Sequence, residues 1–467
     1  MRKHHLFFPI LREETRCWYV LLAAWSMLLV LPTYATQHEA AEPAATESDD
    51  PLEVFPLLGL DEDYFARLTD GRPLSDEESE TLWRVMYHLR RYPMLKQEQW
   101  AKTDKEIATL FGKPGDFRGH FFRLRGRVLK VEACRPPEDV EERFELAGYY
   151  RCRLELATGR IAEVYTEKVP QAWREGAEPN AEGGFLGVFL KLLPPEKTPA
   201  DASEQSSGFR PLFVATRLAW YSDDVLGRLG MDRGLLDEIT DHQPILPAEK
   251  EAFYQLLNAV GRVQSGQLFR LAEAELLKLP KAWRWTDAEG KKRYSVVPLF
   301  NQPDTQRGRL AAFSGTARRI IKVAIDDPEI VNRFGFDHYY QVSVVTDDSR
   351  GNSLTFCLRD LPSGMRYGNL PHYGESVRVA GFFFKSWSYR VPRLSDDEPG
   401  PAGAKTRWQL SPLLIGRSLE WFPAPKPEES NMSDLIVGGL FVAIMLIIWA
   451  VAWRSNRRRS RAKTLMR

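Results

Sequence analysis

Residues 58–73 read LGLDEDYFARLTDGRP and residues 229–244 read LGMDRGLLDEITDHQP, so that each shared residue recurs 171 positions later. The same offset continues beyond these stretches, where four apolar positions of one copy match four of the other: Leu82, Val85, Met86 and Leu89 with Phe253, Leu256, Leu257 and Val260. One offset held across residues 58–89 is hard to produce by chance. The sequence therefore predicts a tandem duplication.

Apolar residues recur at helical spacing in both copies, which predicts two short helices with an apolar face at the start of each unit. In the first copy Ser75 precedes Glu78 by three residues, the spacing of a helix capping box. The second copy has Pro247 at the first helical turn instead, which is an equivalent start signal.

The segments after the helices alternate apolar and polar residues, which predicts strands with one buried face. Residues 125–131 (RGRVLKV) match residues 315–323 (GTARRIIKV), and residues 212–221 (LFVATRLAWY) match residues 413–422 (LLIGRSLEWF). The first of these pairs is offset by 190 positions instead of 171. Residues 281–299 (KAWRWTDAEGKKRYSVVPL) account for the increase, because they read as an extra β-hairpin in the second unit.

The strand number and spacing over residues 118–222 and 310–423 resemble an oligonucleotide/oligosaccharide-binding (OB) barrel. The resemblance implies a small antiparallel barrel of about five strands in each unit. It includes no diagnostic motif, and a different five-stranded barrel fits the pattern nearly as well. The predicted fold class is α+β and β-rich, a duplicated unit of two short helices and an OB-like barrel followed by one transmembrane helix.

Residues 435–453, LIVGGLFVAIMLIIWAVAW, form an apolar run without a charge. A helix rises about 1.5 Å per residue, so this run covers the roughly 30 Å hydrocarbon core of a bilayer. Six Arg and one Lys follow it with no acid, and the positive-inside rule places such a tail in the cytoplasm. The sequence predicts a single-pass membrane protein whose bulk is extracytoplasmic, in the periplasm or at the cell surface.

The N-terminus also has the pattern of an export signal. Basic residues precede the apolar run 17–32, and residues 33–35 (TYA) supply small residues for a signal peptidase. An uncleaved anchor is the alternative, because Glu13 and Glu14 are unusual in a secretory signal. The predicted segments are a signal peptide or N-terminal anchor (1–35), a disordered acidic linker (36–51), repeat unit 1 (52–222), repeat unit 2 with its extra hairpin (223–423), a juxtamembrane linker (424–434), the transmembrane helix (435–453) and a basic cytoplasmic tail (454–467).

The net charge has to be divided between compartments before it is interpreted. The whole chain carries +1, while the leader contributes +2 and the tail +7, so the exported part carries −8. A nucleic-acid-binding surface requires a net positive footprint. Nucleic acid is therefore not expected as a partner.

Three of the four cysteines lie outside the leader, so the exported part can form at most one internal disulfide. Cys134 and Cys152 flank a predicted connection between two strands. A disulfide between these two residues is one interpretation, and two buried free thiols are the other.

The exported part contains no recognised catalytic, metal-binding or cofactor-binding motif. Its histidines show no i, i+4 pair, and the chain lacks a nucleophile elbow, a phosphate loop and a dinucleotide fingerprint. Neither a metal nor a cofactor is predicted. Residues 347–352 (DDSRGN) carry calcium-like carboxylates but stand where a hairpin turn is needed, and a turn accounts for them.

Four acids recur between the copies, and caps or turns of short helices account for them without catalysis. They form the pairs Asp61 with Asp232 and Asp70 with Asp241.

Residues 385–393, KSWSYRVPR, contain the best candidate for a ligand-binding patch. Trp387 and Tyr389 alternate along a predicted strand and therefore share one face. Arg390 and Arg393 lie beside them in sequence. Aromatic and basic side chains in this arrangement are typical of a binding surface.

The sequence predicts a non-enzymatic, membrane-anchored binding or scaffold protein of the cell envelope. Two similar barrels on one body favour the capture of an envelope protein or glycan, because paired sites raise avidity. The span and the basic tail would contact membrane lipid. The alternative is an envelope hydrolase acting on glycan or peptide in the cleft between the units, with a carboxylate present in one copy only, such as those around Asp347.

Overall fold

The computed structural model describes residues 55–174, 176–195, 208–368, 373–392, 406–423 and 432–464. The predicted leader and acidic linker lie outside these residues, as do most of the juxtamembrane linker and the candidate site residue Arg393.

The first half begins with four α-helices, and a fifth lies between its first two strands. They are α1 (Glu62–Ala66), α2 (Asp76–Leu89), α3 (Met94–Trp100), α4 (Ile107–Gly112) and α5 (Glu138–Phe144). The capping box at the start of α2 is present, since the Ser75 hydroxyl accepts the Glu78 N–H and the Glu78 carboxylate accepts the Ser75 N–H. The two predicted helices are present as α1 and α2, and the structure adds α3 and α4, whose 7 and 6 residues are too short to show a clear apolar period.

Five strands of the first half form a closed barrel, as the sequence predicts. They are β1 (Phe121–Cys134), β2 (Tyr149–Leu156), β3 (Ile161–Lys168), β4 (Ala181–Leu193) and β5 (Arg210–Trp220). They follow the order β1-β2-β3-β5-β4, and β4 closes the ring on β1. The expectation of a fully antiparallel barrel is wrong, because β4 crosses to the far side of β5 and leaves β3 parallel to β5.

Two layers of apolar side chains hold the first half together. Inside the barrel, the rings of Phe122 and Phe189 each lie with their centroids 5.6 Å from that of Phe213, and all three side chains are fully buried. Outside it, Leu82 and Val85 of α2 belong to a cluster that includes the barrel's outer face. The barrel therefore has an inner core and a helix-covered outer core.

Among its described residues, the second half contains six α-helices. They are α6 (Val225–Arg228), α7 (Lys250–Gly261), α8 (Gln267–Leu276), α9 (Val297–Asn301), α10 (Pro303–Gln306) and α11 (Pro328–Phe334). Its strands are β6 (Arg284–Thr286), β7 (Lys292–Tyr294), β8 (Leu310–Ala324), β9 (His338–Val345), β10 (Ser353–Leu358), β11 (Glu375–Pro392), β12 (Thr406–Gly416) and β13 (Leu419–Phe422). The strands β6 and β7 form a separate two-stranded sheet within residues 281–299.

The other six strands of the second half form one sheet in the order β12-β10-β9-β8-β11-β13. Strand β12 also pairs with β11, so five strands are joined in a ring. Strand β10 is parallel to β12, as β3 is to β5 in the first half. Strand β13 pairs with β11 at Ser376–Val379, next to the stretch that pairs with β12.

Each half contains a lysine buried against a glutamate at the start of its main helix. The Lys191 Nζ lies 2.8 and 2.7 Å from the two carboxylate oxygens of Glu78, and the Lys385 Nζ lies at the same two distances from those of Glu249. The side chains of both lysines are 0% exposed. A buried charge of this kind requires its partner, because an unpaired ion inside a protein is strongly destabilising.

The recurring acid beside each pair binds the backbone of the same strand. The Asp70 carboxylate accepts the Leu192 N–H at 2.7 Å and pairs with Arg118 at 2.6 Å. In the second half, Asp241 accepts the Ser386 N–H at 2.8 Å and pairs with Arg307.

The acid Asp232 also has a structural role. Its carboxylate caps the next helical turn at Gly234 and accepts the Trp220 N–H, both at 2.9 Å. Asp61 precedes α1 but makes no side-chain capping bond.

The thiols of Cys134, Cys152 and Cys357 are free, so the alternative of a disulfide between Cys134 and Cys152 is not realised. Cys152 of β2 lies opposite Val131 of β1, and Val131 is three residues from Cys134 along the same strand. Three residues of strand span about 10 Å, and a disulfide requires Cα atoms within about 7 Å. Burial raises the pKa of the Cys152 thiol, which keeps it protonated.

The last element is α12 (Met432–Thr464), whose side chains are described over residues 438–454. Its apolar side chains are exposed, for example Phe441 at 67% and Trp449 at 64%. In the described part of the chain, no helix combines the length and apolar character needed to cross a membrane. The span at residues 435–453 stays a prediction.

We expect Lys191→Met to lower the free energy of unfolding by about 3–5 kcal/mol, because it leaves the Glu78 carboxylate buried without its partner. The double variant Lys191→Met/Glu78→Gln removes both charges and is expected to recover much of the loss. Lys130→Met is the control, since Lys130 is 42% exposed in its pair with Glu132 and such pairs contribute about 1 kcal/mol or less. Urea denaturation followed by tryptophan fluorescence measures all three. A double variant as unstable as Lys191→Met would contradict the pairing argument.

The same pair makes stability depend on pH. Burial raises the pKa of the Glu78 carboxyl, but the Lys191 ammonium and the N–H groups of Ser75 and Thr69 lower it more, so the pKa lies below its ordinary 4.5. A depressed carboxyl pKa stabilises the fold above the unfolded-state pKa, and this contribution is lost as pH falls through the folded-state pKa. The stability difference between wild type and Glu78→Gln should therefore be largest near neutral pH and shrink below about pH 4.5. A difference that stays constant from neutral to acidic pH would exclude this linkage.

Candidate functional site

A two-stranded ribbon extends from the ring of the second half. Strands β11 and β12 stay paired as far as Pro392 and Thr406. Within the described residues, however, β8 pairs with β11 only as far as Phe382. Strand β10 pairs with β12 only from Leu413 onward. Residues 386–392 and 406–412 therefore form the feature that we call the ribbon.

The ribbon is anchored on one side by the turn that carries the recurring acid Asp241. The His242 N–H donates to the Ser386 carbonyl at 2.6 Å, and the Ser388 N–H donates to the Gln243 carbonyl at 3.3 Å. The base of the ribbon is therefore held next to the buried pair of Lys385 and Glu249.

One face of the ribbon presents the aromatic pair that the sequence singles out. The rings of Trp387 and Tyr389 are stacked, with centroids 5.1 Å apart and an interplanar angle of 24°. The Tyr389 hydroxyl lies 3.4 Å from the hydroxyl of Ser353. Nearby, the Ser411 hydroxyl donates to the Ser353 carbonyl at 2.7 Å and lies 3.0 Å from that of Thr355. The face thus combines a half-buried aromatic pair, in which Trp387 packs against the hydrophobic core, with hydroxyl groups that are buried.

The opposite face carries Arg390, which lies directly across from Trp408 in the register. Its guanidinium lies 5.0 Å from the centre of the Trp408 ring, within the range of a cation–π contact. Trp408 is 55% exposed and its neighbour on the same face, Leu410, is 42% exposed. The structure therefore separates Arg390 from Trp387 and Tyr389, although the three are close in sequence.

Sequence reasoning missed Trp408 and Leu410. Their alternation in residues 406–410 (TRWQL) was visible. Alternation shows that two side chains share a face, but it does not show whether that face is covered. The exposure follows from the ribbon extending past its neighbouring strands.

The cleft between the two halves is the place where a hydrolase would need its catalytic groups. It encloses about 280 Å³, and each of its three acids is paired with an arginine. Arg333 binds Glu251 at 2.8 Å and Glu98 at 3.3 Å, and Arg217 lies 3.0 Å from Asp232. These contacts leave the cleft carboxylates occupied by ion pairs.

The acids around Asp347 do not line this cleft. They form the turn between β9 and β10, and the Asp348 carboxylate accepts the Val296 N–H and the Thr346 hydroxyl, both at 2.9 Å. The turn interpretation of this segment therefore agrees with its contacts. Among the described residues, no group of His, Cys, Asp and Glu side chains is arranged to hold a metal ion.

The sequence matches no protein-family model and no curated protein in the comparisons made.

Proposed function

We propose that the protein is a non-enzymatic, membrane-anchored binding protein of the cell envelope that captures another envelope protein through the ribbon. The observation that carries the proposal is the group of exposed residues Trp408, Leu410 and Arg390 on one face of the ribbon. Trp, Tyr and Arg are the residue types most enriched among the energetically dominant residues of protein interfaces.

The backbone of the ribbon also favours a protein partner. Within the described residues, 406–412 of β12 pair with β11 alone. An unpaired strand edge offers N–H and C=O groups that a strand of another protein can complete. A glycan would use the stacked rings of Trp387 and Tyr389 but would leave this edge without a partner.

The two halves differ at this place, which supports a specialised role for the second copy. In the first half, β4 and β5 remain paired for only two residues beyond Lys191, to Leu193. In the second half, β11 and β12 remain paired for seven residues beyond Lys385, to Pro392.

The shared features of the halves support duplication of one OB-like unit. Both contain a ring of five paired strands with one parallel pair, and both contain the buried lysine–glutamate pair. The order β1-β2-β3-β5-β4 supports the OB-like assignment of the first barrel. The first copy would then serve as the frame, while the second copy presents the binding surface.

Anchoring by residues 435–453 is part of the same proposal. The exposed apolar side chains of α12 and the seven basic residues from Arg454 onward support it. This topology would leave both halves on the extracytoplasmic side, with the tail against anionic lipid in the cytoplasm.

We expect Trp408→Ala to reduce recovery of the partner in an in-cell crosslinking and affinity-purification experiment with a tag after Arg467. Truncation of a dominant interface tryptophan costs about 2 kcal/mol or more, which is about thirtyfold in affinity. Because Trp408 is 55% exposed, the melting temperature should not change. Phe209→Ala is the matched control, since Phe209 is a 47% exposed aromatic just before β5.

Equal recovery with Trp408→Ala and wild type would remove this face of the ribbon from the proposal. If the crosslinked material is glycan and its recovery is lost in Trp387→Ala instead, the stacked face binds a sugar and a protein partner is ruled out.

Deleting residues 435–467 should move the protein from the carbonate-resistant membrane fraction to the extractable fraction, because it removes the proposed span. Deleting only residues 454–467 leaves the apolar run in place and is the control, which should remain in the membrane fraction. N-terminal sequencing of the products shows whether the leader is cleaved. A longer deletion that stays in the membrane with its leader removed would contradict the proposed anchor.

A further inference from the structure

The cleft between the two halves carries more positive charge than its own acids neutralise. Five arginines and three acids line it: Arg123, Arg125, Arg217, Arg262 and Arg333 with Glu98, Asp232 and Glu251. Arg333 engages two of the acids and Arg217 the third. Arg123 shares Glu98 at 3.1 Å. The excess charge therefore lies on Arg125 and Arg262.

These two guanidinium groups converge on one point of the cleft. A side-chain Cβ placed on Gly230 would lie 3.5 Å from Nη2 of Arg262 and 3.9 Å from Nη2 of Arg125. The distance between the Nη2 atoms of Arg125 and Arg262 is therefore no greater than the sum of these two distances. Gly230 has a φ of +76°, a conformation that glycine adopts without strain. Because glycine has no side chain, no Cβ atom occupies this point between the two guanidinium groups.

Within the described residues, neither guanidinium donates a hydrogen bond to a carboxylate, although Arg125 also interacts electrostatically with Asp104. Arg125 lies 4.0 Å from the centre of the Tyr221 ring, and its nearest acid is the exposed Glu182 at 3.9 Å. Arg262 donates to the Leu229 carbonyl at 2.8 Å. Two like charges at this separation repel each other, and an anion between them would turn the repulsion into attraction.

We infer that Arg125 and Arg262 form a binding site for a phosphate group in the cleft at Gly230. Guanidinium groups bind phosphate through paired N–H donors, and two of them match a doubly charged phosphate better than a single carboxylate. Arg125 comes from β1 of the first half and Arg262 follows α7 of the second half. A bound phosphate would therefore link the two halves, which is a role separate from partner capture by the ribbon.

The site can be tested on the full chain reconstituted in phosphatidylcholine nanodiscs. Inorganic phosphate is expected to raise the melting temperature of the wild type, while sodium chloride at the same ionic strength is not. Arg125→Gln and Arg262→Gln should each weaken phosphate binding about tenfold, because each removes charge-assisted hydrogen bonds. Arg127→Gln is the matched control, since Arg127 is an exposed arginine two residues along β1 that does not line the cleft.

Nanodiscs containing phosphatidylglycerol distinguish the source of the phosphate. If the site takes a lipid headgroup, these discs raise the melting temperature of the wild type but not of Arg125→Gln, and added inorganic phosphate has no further effect. If it takes a soluble phosphate ester, the two kinds of disc behave alike and inorganic phosphate stabilises in both. No stabilisation by inorganic phosphate or by phosphatidylglycerol, or equal stabilisation of wild type and the double variant Arg125→Gln/Arg262→Gln, would overturn the inference.

Discussion

Both halves depend on a lysine ammonium that is buried against a glutamate at the start of a helix. Glu78 also accepts the N–H groups of Thr69 and Ser75, so a single carboxylate holds the turn, the helix start and strand β4 together. Glu249 makes the equivalent contacts with Thr240, Leu246 and β11. Because a buried charge is tolerated only with its partners in place, this arrangement restricts where the helix of each half lies against the strands of its ring.

The two halves contact each other through ion pairs and hydrogen bonds. Arg333 of the second half, only 4% exposed, reaches Glu98 of the first, and the Glu329 carboxylate accepts the Leu95 N–H at 3.0 Å. Lys168 similarly pairs with Glu238 at 2.9 Å. Polar contacts of this kind are typical of interfaces between domains of one chain, in contrast to the apolar cores within each half. A polar, partly open cleft is also where an ionic ligand can enter without disturbing a core.

The two halves share some features and differ in others. Each half keeps the ring and its buried pair, which provide stability. The ribbon, the β6–β7 hairpin and the exposed face with Trp408 belong to the second half. Because the ribbon starts at the residue after Lys385, the element proposed to bind a partner is attached next to the buried lysine–glutamate pair of the ring.

The sequence by itself determined the recurrence of residues at one offset, the capping box at Ser75, the helix-and-barrel composition of the first half and the aromatic alternation at Trp387 and Tyr389, because caps and apolar periods are local. Tertiary structure decided the parallel pairing of β3 with β5, the separation of Cys134 from Cys152 and the placement of Arg390 on the face of Trp408. It also decided that Arg125 and Arg262 meet at Gly230. Strand order, register and contacts between distant residues depend on backbone hydrogen bonds across the whole chain, which a local pattern does not specify.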